Sequence, residues 1–217
     1  MNEFYFQIDI TDEQVEYANR LVDFSILNHP VTDIFANDPQ GKERQREFRF
    51  TGSLGEIVFA DTYELPRPIR AFGAIDGQDF GMDFNLPING IDISIDIKAM
   101  GRKNNNFREN YVLNLPKYQM EKDMVITDCY FCISIHKEFK YIASFIGYIE
   151  KDLVYAGKVG ILYTAGTRRI KDDGGSFIFQ RDTYEVDFKD IKTPFLNENI
   201  KKIKGFKLRI ILPPFKK

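Results

Sequence analysis

Between Ile91 and Ala99 the chain reads Ile-Asp-Ile-Ser-Ile-Asp-Ile-Lys-Ala, a two-residue alternation that only an extended strand converts into one apolar and one polar face. Ile91, Ile93, Ile95 and Ile97 fall on one side, and Asp92, Ser94, Asp96 and Lys98 on the other. The spacing predicts a strand over 91–99 with its isoleucines in a core. Asp96 and Lys98 must then project together, and charges beside such a core are costly unless something pairs with them.

Residues 80–86 predict a partner strand, with Pro87, Asn89 and Gly90 as the turn of a hairpin. Phe80, Met82 and Phe84 share one face of it, which turns Asp83 the other way. Asp76 and Asp79 are near enough to compete for the same role, but Asp76 sits in the Gly73–Gly77 turn and Asp83 is preferred. Two carboxylates on adjacent strands beside a lysine can hold a hard divalent cation such as Mg²⁺, which takes oxygen ligands and keeps waters. The ammonium of Lys98 would lie near such a water or near a phosphate undergoing cleavage.

The rest of the chain predicts a mixed α/β (α+β) arrangement. Val15, Ala18, Leu21, Val22 and Ile26 recur at helical intervals after Thr11, an N-cap candidate, so a helix is expected to about Leu27. Residues 37–46 read as a loop, and a second helix is expected within 48–63, helical from Gly52 onward, stopped by Pro66 and Pro68. Residues 101–110 read as a polar, basic loop, followed by a short apolar run, Tyr111–Leu115, and a short helix that begins at Pro116 and contains Lys117 and Gln119. Residues 129–135 and 141–149 read as central strands, and short strand-like pieces with turns follow Gly157.

At 217 residues the chain fits one domain able to bury a core without disulfides. No apolar run is long enough to span a membrane, and the N-terminus lacks the pattern of a signal peptide, so a cytoplasmic protein is expected. The only cysteines, Cys129 and Cys132, make a poor zinc site and read as buried thiols. Neither His29 nor His136 belongs to a catalytic or metal-binding pattern; each reads as a solvated or capping residue, His136 in a turn at a strand end. No phosphate-binding loop, dinucleotide fingerprint or nucleophile elbow occurs.

Taken in order, Glu56 in Gly52-Ser-Leu-Gly-Glu-Ile-Val-Phe-Ala60, Asp83 in Gly81-Met-Asp-Phe84, and Asp96-Ile-Lys98 resemble the PD-(D/E)XK nuclease superfamily, which includes many restriction endonucleases and repair or phage nucleases. The resemblance covers about residues 48–150 and departs from the usual motif in having Met82, not Pro, before the first acid. It implies a restriction-endonuclease-like mixed central sheet of four strands flanked by helices, with Mg²⁺, or Mn²⁺ in its place, bound by Asp83 and Asp96 and Glu56 assisting from its helix. It makes Glu56, Asp83, Asp96 and Lys98 the catalytic set. Gln119 resembles a Gln that some branches keep near the site, although burial preferences favour an exposed helical residue.

On this reading the chain is a single nuclease domain over 1–217: a helical N-terminal element (1–47), a core of about 48–150, and a β-rich C-terminal extension with a basic tail. Charge is segregated along it. Residues 1–40 carry eight acids against one base, Arg20, whereas from Asn199 onward there are seven bases and no acid. Arg102, Lys103, Arg108, Lys117, Gln119, Arg168 and Arg169 are the candidates to contact a double-stranded DNA substrate, most through phosphates. A restriction, phage or defence endonuclease fits best, with a homodimer as the means of cutting both strands. The rivals are a nuclease of the same superfamily acting on junctions, flaps, ends or single strands, and a non-catalytic nucleic-acid-binding or interaction module whose acids only form ion pairs.

Overall fold

A computed structural model describes residues 2–28, 41–69, 82–88, 90–102, 111–121, 127–137, 140–170 and 175–211. The first strand, β1 (Phe4–Asp9), leads directly into helix α1 (Asp12–Asn28). Thr11 caps that helix reciprocally: its hydroxyl accepts the Gln14 N–H at 3.2 Å, and the Gln14 side chain accepts the Thr11 N–H at 2.9 Å. Helix α2 (Gly41–Thr62) packs against α1. It starts well before the expected position, and 41–46 are helical, not a loop, because Lys42-Glu-Arg-Gln-Arg46 consists of strong helix formers despite its polarity. Residues 37–40 lie outside the described residues.

The hairpin forms as expected from β2 (Phe84–Ile88) and β3 (Ile91–Arg102), antiparallel with Phe84 opposite Ile95. Two boundaries differ. β2 holds Pro87 within it, which an edge strand tolerates because one side of its backbone needs no ladder bond, and β3 runs on through Gly101 and Arg102. Phe80 and Gly81, expected in the first strand, lie outside the described residues, as do 103–110 of the expected loop.

After β3 come β4 (Val112–Pro116), the short helix α3 (Lys117–Met120), β5 (Cys129–Lys137), β6 (Tyr141–Glu150), the short helix α4 (Lys151–Tyr155) and five further strands: β7 (Ile161–Tyr163), β8 (Arg168–Ile170), β9 (Ser176–Ile178), β10 (Thr183–Asp187) and β11 (Lys207–Ile210). The main sheet has the order β11-β1-β6-β5-β3-β2. It is mixed: β3 and β5 are parallel, joined through β4 and α3, and the other neighbours are antiparallel. Smaller sheets β4-β10-β7 and β8-β9 stand beside it. The protein is therefore α+β, with four α-helices among the described residues. None of its helices is long and apolar enough to cross a membrane, among the described residues.

Among the described residues six strands form this sheet, not four, because the chain's two flanks enter it. β1, in the segment expected to be helical, pairs with β6 and with β11, which comes from the basic C-terminal stretch expected as a tail. Both carry a short apolar–polar alternation, Phe6-Gln-Ile-Asp-Ile10 and Lys207-Leu-Arg-Ile210, that suits a strand, and pairing with each other and with β6 fixes them in the sheet.

Two cores lie on the two faces of the sheet. On one, Ile95 and Ile97 of β3, Phe131 and Ile133 of β5 and Phe145 of β6 meet Leu54, Ile57, Val58 and Phe59 of α2. On the other, Tyr130, Cys132 and Ile146 meet Leu113, Met120, Val154, Tyr184 and Phe188. β5 is buried on both faces, which explains why its sequence is apolar almost throughout. Both thiols are buried as expected, and burial pushes Cys129 up to about 12 and Cys132 well above its ordinary value.

His136 is not in a turn. It lies in β5, only 3% exposed, with Nε2 2.9 Å from the Ser144 hydroxyl on β6, because β5 extends to Lys137. His29 lies outside the described residues.

Candidate active site

Strand β3 presents Asp96 and Lys98 toward the core that contains Tyr130, while Ile95, Ile97 and Ala99 face α2. The register with β5 sets Asp96 beside Tyr130 and Lys98 beside Cys132. Lys98 Nζ lies 2.8 Å from Asp96 Oδ2, and the two side chains are only 20% and 17% exposed. The ammonium also donates to Gln119 Oε1 at 3.2 Å and lies 5.5 Å from the centre of the Tyr130 ring. An aromatic face, an amide oxygen and a carboxylate together offset the cost of drawing this lysine partly out of water.

Asp83 immediately precedes β2. Its N–H donates to the Ile95 carbonyl at 2.9 Å, and its Oδ2 accepts the Ile97 N–H at 2.6 Å. One residue thus grips β3 on both sides of Asp96. Extending the Phe84↔Ile95 register by one step sets Asp83 opposite Asp96, the position from which cross-strand side chains share a face. One residue before Ile95, β3 is fastened again by Asp128, whose Oδ2 accepts both the N–H and the hydroxyl of Ser94 at 2.8 and 2.7 Å.

Glu56 is placed differently. Helix α2 crosses β3 at Gly55, where an added Cβ would collide with the Ala99 side chain, so only glycine allows the helix to lie so close. Glu56, half-buried, follows that crossing directly, but its helix covers the face opposite to the one bearing Asp96 and Lys98. Among the described residues no three Asp, Glu, His or Cys side chains are grouped as a set able to hold a metal ion. The structure therefore gathers Asp83, Asp96, Lys98 and Gln119 about one stretch of β3, with Glu56 one helix residue past the crossing.

Tyr130 was not anticipated from the sequence. It is 1% exposed, its hydroxyl has no hydrogen-bond partner among the described residues, and its pKa is raised by burial first and by the Asp96 charge second. Within an apolar run, a tyrosine gives no sign that a parallel neighbour will bring a carboxylate to it.

The expected DNA contacts divide. Arg168 is exposed on β8. Arg169 is bound to the buried carboxylate of Glu185 at 3.0 Å. Lys117 pairs with Glu121 at 3.2 Å on the surface. Gln119 is no bystander on an exposed helix face, since it touches Lys98. Arg102 is already engaged: its guanidinium lies 4.2 Å from the centre of the Tyr111 ring and donates to the Val112 carbonyl at 3.1 Å, and burial lowers its pKa. The reason is that β3 carries Arg102 into the second core instead of releasing it into a loop. Lys103, Arg108, Asp76 and Asp79 lie outside the described residues.

Comparison with family models, with curated proteins and with solved structures finds no match to this chain.

Proposed function

We propose that the protein is a Mg²⁺-dependent DNA endonuclease of the PD-(D/E)XK superfamily, with the restriction-endonuclease-like core formed by α2, β2, β3, the α3 crossover and β5. The observation that carries this reading is the contact of Lys98 with Asp96 on one face of β3, next to a second acid, Asp83, that is bonded to the same strand. A surface ion pair would leave both partners in water; this one is mostly buried and is shared with Gln119 from a separate element.

The donors suit the ion. Asp83 and Asp96 offer carboxylate oxygens only, and Mg²⁺ is commonly held by one or two carboxylates with water and substrate phosphate completing its shell. When bound it would supply charge stabilisation at the phosphate and an acidified water. Lys98 contributes an ammonium to offset charge developing on the phosphate, and Asp96 and Gln119 hold that ammonium in place. Glu56, whose helix covers the opposite face of the sheet, is given no part in this set. A symmetric duplex substrate favours a homodimer, and the role is that of a restriction, phage or defence nuclease.

The test is cleavage of linear duplex, single-stranded and branched DNA with Mg²⁺ and with EDTA. Cleavage should require the metal, disappear in Asp96→Asn and fall by at least about 100-fold in Lys98→Ala, with DNA binding retained. EDTA-resistant activity, or unimpaired Asp96→Asn, would leave only the reading of a binding module with structural ion pairs.

A further inference from the structure

The Lys98 contact with Gln119 leads away from the strand into a groove. Gln119 Nε2 donates to the Tyr118 hydroxyl at 3.3 Å, so the chain Asp96, Lys98, Gln119, Tyr118 is continuous through side-chain contacts. Tyr118 stands in the wall of an open groove of about 410 Å³, formed with Lys117, Glu121, Arg181 and Asp182. Its ring is 40% exposed, and the guanidinium of Arg181, itself exposed, lies 4.8 Å from the ring centre.

This arrangement is held rigidly. The Lys117 N–H donates to the Asp182 carbonyl at 2.9 Å, Pro116 pairs with Thr183 in the β4–β10 ladder, and Asp182 Oδ1 accepts the Ala165 N–H at 2.9 Å. Arg181 and Tyr118, distant in sequence, are thus fixed beside each other at the surface. A large aromatic ring left half in water has no purpose in the core, and Lys117 pairs with an exposed partner, Glu121, that a phosphate can replace.

We infer that this groove is the binding site for an unpaired nucleotide next to the phosphate that is cut: the base stacks on the Tyr118–Arg181 wall and Lys117 takes a neighbouring phosphate. Planar aromatic and guanidinium surfaces beside a single cation are the means by which proteins hold single-stranded nucleic acid without reading its sequence. A paired base keeps its faces covered within the duplex, so from a duplex substrate the groove takes a nucleotide splayed or extruded at the site, and from a single-stranded end it takes one directly. The inference rests on the nuclease reading and names its substrate class.

The experiment uses the full chain carrying Asp96→Asn, so that DNA is bound but not cut, and two fluorescent probes. One is a blunt duplex; the other is the same duplex with a short single-stranded extension containing 2-aminopurine. Binding of the extended probe should quench the 2-aminopurine. Adding Tyr118→Ala should abolish the quenching and weaken that probe by about 5- to 100-fold, while Tyr118→Phe retains both. Arg181→Ala, at an exposed position, should weaken the extended probe also, and blunt-duplex affinity should change little in any of these.

Equal affinity and quenching in Tyr118→Ala and its parent would overturn the inference, and so would an equal loss on both probes. Cleavage is followed separately in the chain without Asp96→Asn. If it is intact and metal-dependent while Tyr118→Ala is inert, the stacking site alone fails. If neither cleavage nor binding of either probe occurs, the nuclease reading fails with it.

Discussion

Asp83 and Ile97 are joined by a hydrogen bond in which a carboxylate, not a backbone carbonyl, accepts a strand N–H at 2.6 Å. β2 begins only at Phe84, and the Asp83 side chain continues the ladder where the strand itself has not yet started. An acid proposed to bind metal therefore also completes the edge of the strand that carries Asp96 and Lys98.

This dual role separates two substitutions. Asp83→Asn keeps an oxygen acceptor for the Ile97 N–H and should retain nearly full stability while losing metal-dependent cleavage. Asp83→Ala removes the acceptor as well and should cost about 1–3 kcal/mol in urea denaturation. Equal stability of the two variants would show that the hydrogen bond contributes nothing.

Gly55 should behave against helix propensity. Gly→Ala inside a helix ordinarily stabilises by about 1 kcal/mol, but here the new methyl meets the Ala99 side chain and must push α2 off β3. Gly55→Ala should therefore destabilise by about 1–3 kcal/mol. Gly52, also in α2, has nothing within 4 Å of its Cβ position, and Gly52→Ala is expected to stabilise. Thermal melting of the pair checks the contrast in sign.

Above pH 9 the fold should weaken. The Cys129 thiol, ordinarily near 9.0, is pushed to about 12 by burial, with the Glu150 and Asp128 charges adding to it. Between those values the unfolded chain has released a proton that the folded chain still holds, so raising the pH favours unfolding; below about 9 both states are protonated and this contribution is flat. Cys132 acts in the same direction. Denaturation midpoints measured from pH 8 to 11 should fall, and fall less steeply in a Cys129→Ala, Cys132→Ala variant. Both thiols should resist a thiol reagent at pH 8 until the protein is unfolded.

Arg102 and Arg168 should differ in their response to salt. Arg168→Ala is expected to reduce the slope of log affinity for DNA against log salt by about one, as loss of a phosphate contact does. Arg102→Met should leave that slope unchanged, since its guanidinium lies over Tyr111 and donates to the Val112 carbonyl. A reduced slope in Arg102→Met would mean that the arginine leaves those partners to meet DNA.

Much of this protein is legible along the chain. The alternation of 91–99 states a strand and places Asp96 with Lys98; the Thr11 cap and helical spacing state α1; the apolar runs state β5 and β6. Each rests on a period or on local chemistry that requires no distant partner. Tertiary structure decided the rest. β1 and β11 are strands because they pair across some two hundred residues, Arg102 is half-buried against Tyr111 because β3 continues past Gly101, and Gln119 reaches Lys98 because the crossover lays α3 over the strand. Periodicity tells which way a side chain points within its element, whereas what it meets there is set by long-range packing, and the character of the β3 cluster depends on that second step.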